Sequence, residues 1–369
     1  MKVLHLIDTL GLGGAQRLLK NIMESRRGDG DVFLHALRRV EPCYEIDHPN
    51  VSVFPSRCRY SPAPLREVLR CIDENGIDIL HCHLPRSIAF GFMTRLLRRG
   101  GLKLIVQDHA EVFRNNPVFS LLLRLCGPEA SAFVASSPSN GEALGRILGP
   151  HSRKIRLAYN FADPSAFNAA ESPLRRAGAR ARWGIAEDEF VVGYAGRLAE
   201  RKGWRLFAEA AAVLKHTPLR FAMAGAGPQE AELLRFLESN GLREKVRFLG
   251  YVADMPGFYS MLDCYVLPSR WEGMPMTLIE AMSMGVPVVC SRAPGIQEFV
   301  GDGRDALLID PSRREDLAEK LLLLANEPAL RRRLAAGAQE TVARFASNGT
   351  QAALLSVYRE AGSGAVPTR

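Results

Sequence analysis

The chain has 369 residues, a net charge of +8, 47% hydrophobic residues and 24% charged residues. That is an ordinary globular composition, and the length is too great for one common core, so two domains are expected. No apolar run approaches the roughly 18–20 residues that span a bilayer. The seven cysteines form no C-x-x-C pair and read as packing residues rather than a disulfide or zinc framework. The basic residues are not interleaved with aromatics as a nucleic-acid surface would require.

The first residues, "MKVLHLIDTLGLGG", carry one lysine and a short apolar run. Asp8 and the glycines make them a first strand and its loop rather than a leader, and a cytoplasmic protein is expected. "GGAQRLLKNIMES" then opens a helix, and "DVFLHAL" is a strand. "LREVLRCIDENG" is a helix, "IDILHCH" a strand and "SIAFGFMTRLLRRG" a helix. "KLIVQDH" and "AFVASS" are strands. This β-α-β-α order predicts a parallel sheet covered on both faces. "NAAESPLRRAGARARWG", rich in Ala, Arg and Gly, has little strand character and reads as the domain boundary.

The alternation restarts at "FVVGYA", followed by a helix at "GWRLFAEAAAVLKH", a strand at "LRFAMAG" and a helix at "PQEAELLRFLESNG". "KVRFLG" and "CYVLPS" are strands with the short helix "MPGFYSML" between them. "VPVVCS", "ALLID" and a helix at "REDLAEKLLLLAN" complete the pattern. The expected fold is α/β, with two Rossmann-like doubly wound domains facing across a cleft. The expected ranges are 1–168, 169–345, and a C-terminal helix and tail over 346–369. Ligands of open α/β sheets bind at the carboxyl ends of the strands.

The charge excess lies in the first half: residues 1–165 hold 22 basic and 16 acidic residues, a net +6. It is densest at "TRLLRRGGLK", with Arg95, Arg98, Arg99 and Lys103. Two readings stand: a solvated helix face, or attraction to an anionic membrane surface or anionic substrate.

Three loops carry candidate chemistry. In "DTLGLGGAQR" the glycines let backbone approach a ligand, and a helix N-terminus favours an anion. The spacing is not G-x-G-x-x-G, so a nicotinamide site is disfavoured and a plain tight turn remains open. In "YAGRLAERKGW", Arg197 and Lys202 flank a turn at a strand end, where two cations suit a diphosphate. Arg201 is a third cation beside them. In "SRWEGMPMTLIEAMSMG", Glu272 and Glu280 have seven residues between them. Gly273 and Pro275 place Glu272 in a loop, whereas Glu280 lies inside a helix whose first amides, at Met276 and Thr277, face outward to an anion. Carboxylates there accept hydrogen bonds from sugar hydroxyls. Met276, Leu278, Ile279 and Met282 read as core.

"GRLAERKG", "PSRWEGMPMTLIEAMSMGVPVV" and "GIQEFVGDG" together resemble the retaining glycosyltransferases of family 4, whose fold is GT-B and whose signature is E-x7-E. The resemblance runs from the glycine loop to about residue 345. It implies that Arg197 and Lys202 neutralise the leaving diphosphate, that Glu280 holds the nucleotide ribose and that Glu272 contacts the transferred sugar. It places Met276 and Thr277, with Gly13 and Gly14, at the phosphates, and the backbone of Phe248 to Tyr251, including Gly250, at the base. It places His109 of "QDHAE" at the sugar, and His83 of "HCHL" and Asn160 of "AYNFAD" on the acceptor side. Phe161 departs from the family's glycine. One of His81 and His83 is expected to be buried and structural, and Glu111 and Asp108 either tune His109 or are solvated.

The resemblance further implies a UDP- or GDP-linked sugar donor, no cofactor, and a saccharide or lipid-linked acceptor. No D-x-D stands in a suitable loop, and metal independence is expected. A nucleotide-sugar epimerase and a non-catalytic nucleotide-sugar binder are the alternatives.

Overall fold

The computed structural model describes residues 1–55, 61–98, 100–109, 116–345 and 347–363. The chain forms two compact units, Met1–Phe161 joined by the segment from Ser347 onward, and Ala162–Ala346.

The first unit contains strands β1 (Val3–Ile7), β2 (Val32–Ala36), β3 (Val51–Val53), β4 (Ile79–His83), β5 (Lys103–Asp108), β6 (Ala130–Ala135) and β7 (Ile155–Leu157). Its helices are α1 (Gly14–Ser25), α2 (Pro64–Asn75), α3 (Pro85–Leu97), α4 (Pro117–Glu129) and α5 (Pro138–Leu148). The sheet order is β3-β2-β1-β4-β5-β6-β7, and each pairing is parallel. β1 and β4 are buried at every position, the continuous burial expected of a parallel strand covered on both faces.

The second unit contains α6 (Ser172–Arg182), β8 (Phe190–Ala195), α7 (Trp204–Val213), β9 (Leu219–Ala224), α8 (Glu230–Ser239), β10 (Val246–Phe248) and α9 (Met255–Ser260). β11 (Cys264–Leu267), α10 (Met276–Ser283), β12 (Val288–Ser291), β13 (Leu307–Ile309), α11 (Arg314–Asn326) and α12 (Pro328–Ala343) follow. Its sheet order is β10-β9-β8-β11-β12-β13, again parallel throughout. The last helix, α13 (Ser347–Ser363), belongs to the first unit.

Both sheets wind outward from a central first strand and then reverse, so each has a switch point, between β1 and β4 and between β8 and β11. Ligands of doubly wound sheets bind beyond the carboxyl ends of the strands at that point.

Two boundaries differ from the sequence pattern. The first unit ends at Phe161, short of residue 168, because Asn21 Nδ2 donates to the Phe161 carbonyl at 3.1 Å and the Phe161 side chain is fully buried. Phe167 instead lies edge-on to Tyr259 of α9, with ring centroids 6.2 Å apart. The stretch read as a linker is largely α6. Its Arg180 is buried and donates to the carbonyls of Ala186, Glu187 and Glu189 at 2.7–3.0 Å and to Asp263 at 2.7 Å. Arg176 grips the other oxygen of Asp263 at 2.6 Å. An Arg-rich composition suggests a solvated segment, but here the planar guanidinium fork ties helix, loop and strand together.

Candidate functional site

The loop after β8 carries Arg197 and Lys202, and the loop after β11 carries Glu272, so both flank the switch point of the second sheet. The two loops are fastened to each other. Arg270 N–H donates to the Arg201 carbonyl at 2.9 Å, and the Arg270 guanidinium to Glu200 at 2.7 Å. Lys202 Nζ donates to Glu272 Oε1 at 2.6 Å. Arg201 lies 4.0 Å from the other oxygen and stacks over Trp271, 4.6 Å from the ring centroid. Glu272 is 5% exposed and sits among cations, which offsets the cost of burying its charge. Arg197 is exposed, and its carbonyl accepts from Tyr194 Oη at 3.4 Å. Tyr265 Oη donates to the Ala195 carbonyl at 3.0 Å. Burial raises the pKa of both phenols, so they stay neutral donors that hold this strand end.

Gly225, after β9, reaches the same place. Its φ is +142°, and a Cβ there would lie 1.9 Å from the Gly196 carbonyl oxygen, so no side chain fits. Gly225 N–H donates to the Gly250 carbonyl at 2.7 Å, which brings Gly250 beside the strand ends. Gly295 packs against the carbonyls of Glu272 and Gly273 from the other side in the same way.

Pro275 is the N-cap of α10, with an extended backbone and no capping side chain. The first amides of a helix have no partner within it, so Met276 and Thr277 present N–H groups at the positive end of α10. Glu280, 2% exposed, accepts from Tyr259 Oη at 3.0 Å, and the same hydroxyl lies 3.2 Å from the Thr277 carbonyl. Met276, Leu278, Ile279 and Met282 are buried, as their spacing predicts. Arg197, Lys202, Gly250, Glu272, Met276, Thr277 and Glu280 thus all belong to one unit. A cavity of about 730 Å³ in that unit, lined by Glu200, Trp204, Arg205, Gln229, Arg270 and Glu315 among others, includes none of these seven.

The first unit carries the remaining candidates at its own switch point. Gly13 is the extended, uncapped N-cap of α1, and Gly14 opens that helix. Asp8, just beyond β1, accepts from the amides of Ser87 and Arg86 at 2.7 and 3.2 Å, and so caps α3 across the switch point. Leu84 between them has φ +76°, an outlier for a branched residue.

Strand alternation puts four histidines on one face. His5 of β1 registers with His81 of β4, and His83 registers with Gln107 of β5, two residues before His109. Both His81 and His83 are buried, not one of them. His83 Nδ1 lies 2.8 Å from His109 Nε2, and His83 Nε2 lies 2.9 Å from His5 Nδ1. His81 Nδ1 lies 2.8 Å from Tyr358 Oη of α13. Burial lowers all four imidazole pKa values, His5 to about 3 and His109 to about 4, so the rings are neutral at pH 7. Asn160 is buried. Glu111 and Arg99 lie outside the described residues, as does the side chain of Asp108. His5, Tyr358, Tyr259 and Trp271 are site residues that sequence reasoning missed. For His5 a partial signal was present: it is the one polar residue in the continuous apolar run of β1, although its partner depends on the β1–β4 register.

Residues 176–341 match the family model "Glycosyl transferases group 1", and residues 12–166 match "Glycosyltransferase Family 4". The chain is 29% identical over 316 residues to the alpha-D-kanosaminyltransferase of Streptomyces kanamyceticus, covering 81% of each chain. It is 28% identical to the putative glycosyltransferase EpsF of Bacillus subtilis, over 97% of this chain and 96% of that one. Among solved structures, Anabaena HepE in complex with UDP-glucose aligns with a TM-score of 0.85 at 22% identity, covering 98% of this chain and all of that one. A sucrose-phosphate synthase from Thermosynechococcus elongatus aligns with a TM-score of 0.81 at 20% identity, covering 99% of this chain and all of that one.

Proposed function

We propose that this chain, which belongs to the family 4 glycosyltransferases of GT-B fold, moves a sugar from a nucleoside-diphosphate sugar to an acceptor hydroxyl with retention of anomeric configuration. The observation that carries this reading is the Lys202–Glu272 contact at the switch point of the second sheet, beside the uncapped start of α10. One charged pair there offers a cation to a diphosphate and a carboxylate to sugar hydroxyls. The solved relative HepE binds UDP and UDP-glucose, which supports a uridine-linked donor here, with GDP-linked sugars as the other class.

In the step proposed, the bond from the anomeric carbon to the diphosphate breaks, and negative charge builds on phosphate oxygens. Lys202, Arg197 and the amides of Met276 and Thr277 stabilise that charge, so the step needs no metal ion. The acceptor oxygen bonds to the anomeric carbon on the face the diphosphate leaves, and its proton passes to a leaving phosphate oxygen. Glu280 holds the ribose, with Tyr259 fixing its carboxylate. Gly250 borders the base, and within the first unit the start of α1 at Gly13 and Gly14 offers amides suited to an anion. His109 and Asn160 serve the sugar and acceptor side; His83, expected there from the sequence, is fully buried with both ring nitrogens turned to His109 and His5, so it acts behind His109. Lys202→Ala and Glu280→Ala are each expected to cut donor turnover by about a hundredfold or more. If both variants turn over donor like the parent, the assignment fails.

The acceptor is proposed to be a saccharide or a lipid-linked sugar of cell-surface polysaccharide or glycolipid synthesis, met at an anionic inner membrane face. Among the described residues no helix is long and apolar enough to cross a membrane. Met93, Leu96 and Leu97 of α3 and Val118, Leu121 and Leu125 of α4 are exposed. Arg95 and Arg98 lie beside them but face Glu129 and Asp73, so apolar area supports this reading more than charge does. Co-sedimentation with anionic vesicles, retained in large part with zwitterionic ones, is the expected result, and equal recovery without vesicles would contradict it.

A further inference from the structure

We infer that His5 and His83 are positioning residues that set which ring nitrogen of His109 carries the proton. The inference rests on the reading of His109 as a substrate-side residue. The three rings form an unbroken chain, His109 Nε2 to His83 Nδ1 at 2.8 Å and His83 Nε2 to His5 Nδ1 at 2.9 Å. Each contact is a hydrogen bond and holds one proton. A neutral imidazole has one N–H and one bare nitrogen. Three neutral rings in this chain therefore have only two arrangements. In one, every ring is protonated at Nε2: His109 donates to His83, His83 donates to His5, and His109 Nδ1 is a bare acceptor. In the other, every ring is protonated at Nδ1: His5 donates to His83, His83 donates to His109, and His109 Nδ1–H is a donor.

The chain thus makes a choice at His5, two rings away, decide whether His109 accepts from or donates to a hydroxyl. Burial of His5 and His83, 1% and 0% exposed, keeps water from satisfying either inner contact. The far end is not closed. His5 borders a cavity of about 20 Å³ lined also by Arg26, Gln351 and Tyr358, large enough for a single water to partner His5. His5, His81 and His83 also bring ring nitrogens within 4.8 Å of one another. Two nitrogens on one tetrahedral zinc stand about 3.3 Å apart. The 2.9 Å contact between His5 and His83 is instead a hydrogen-bond distance, and an ion would have to break it.

The test is long-range proton–nitrogen NMR of the full chain with 15N-labelled histidine rings, compared with His5→Phe and His5→Gln. The parent is expected to show His5, His83 and His109 in one shared tautomer. His5→Phe is expected to move the His109 ring-nitrogen shifts and to lower kcat by about tenfold, the scale on which outer partners of a working imidazole act, with donor KM unchanged. His5→Gln, which keeps a hydrogen-bonding end group, is expected to recover part of that loss. Mixed tautomers in the parent, or His109 shifts unmoved in His5→Phe, would overturn the coupling. Parental kcat in His5→Phe would overturn the positioning role. If the parent transfers no sugar from any nucleotide donor, the functional reading fails while the ring spectra still decide the coupling.

Discussion

The two units share one strand order but equip their switch points with opposite chemistry. The second unit places ionised groups there: Lys202 and Glu272 in contact, with Arg201 beside them. The first unit places neutral, hydrogen-bonded rings there: His5, His83 and His109. A leaving diphosphate requires fixed positive charge, whereas a hydroxyl that gains or gives a hydrogen bond requires a neutral group that can do either. Under the proposed function, the same backbone topology serves both tasks, and the loops decide which.

The contrast can be broken from the charged side first. Glu272→Ala leaves Lys202 without its partner and removes the proposed sugar contact, so kcat/KM for donor should fall by about 10²–10³-fold in initial-rate assays. Glu272→Gln should retain more activity, because an amide still accepts from Lys202. Arg180→Ala should cost the second unit about 1–3 kcal/mol, since it leaves three carbonyls without their donor while Arg176 and the Val191 amide still hold Asp263. Trp183, Trp204 and Trp271 all lie in that unit, so the loss should appear as an earlier tryptophan-fluorescence transition in urea.

Acid should strike the neutral side. The lowered folded-state pKa values of His5, about 3, and His109, about 4, mean that the unfolded chain binds protons first, near pH 6.5. Stability from these groups is complete above about pH 6.5 and is lost as pH falls toward 4. Far-UV melts should therefore fall between pH 7 and 5 further than tryptophan-reported melts. Tyr259→Phe should give the smallest effect: one hydrogen bond to Glu280 is lost, about 1–2 kcal/mol, seen as a severalfold rise in donor KM with kcat retained.

Much of this was legible in the sequence because doubly wound strands are short apolar runs and because loops after β8 and β11 must share a switch point. Glu272 in a loop and Glu280 in a helix followed from Gly273 and Pro275 alone. The Lys202–Glu272 contact was not legible as a contact, since it joins residues 70 apart through the β8–β11 pairing. His5 was missed because its partner depends on the β1–β4 register. α6 was missed because composition does not reveal that Arg180 finds three carbonyls and a carboxylate. Tyr358 was missed because nothing local says where the final helix packs.

The central claim is that the second unit grips a nucleoside-diphosphate sugar through Lys202. Calorimetric titration of the parent and Lys202→Met with UDP-, GDP- and ADP-glucose tests it most directly. The account predicts saturable binding of a UDP- or GDP-linked sugar to the parent and its loss in a folded Lys202→Met. Binding of none of the three to the parent, or equal binding to both proteins, would contradict it.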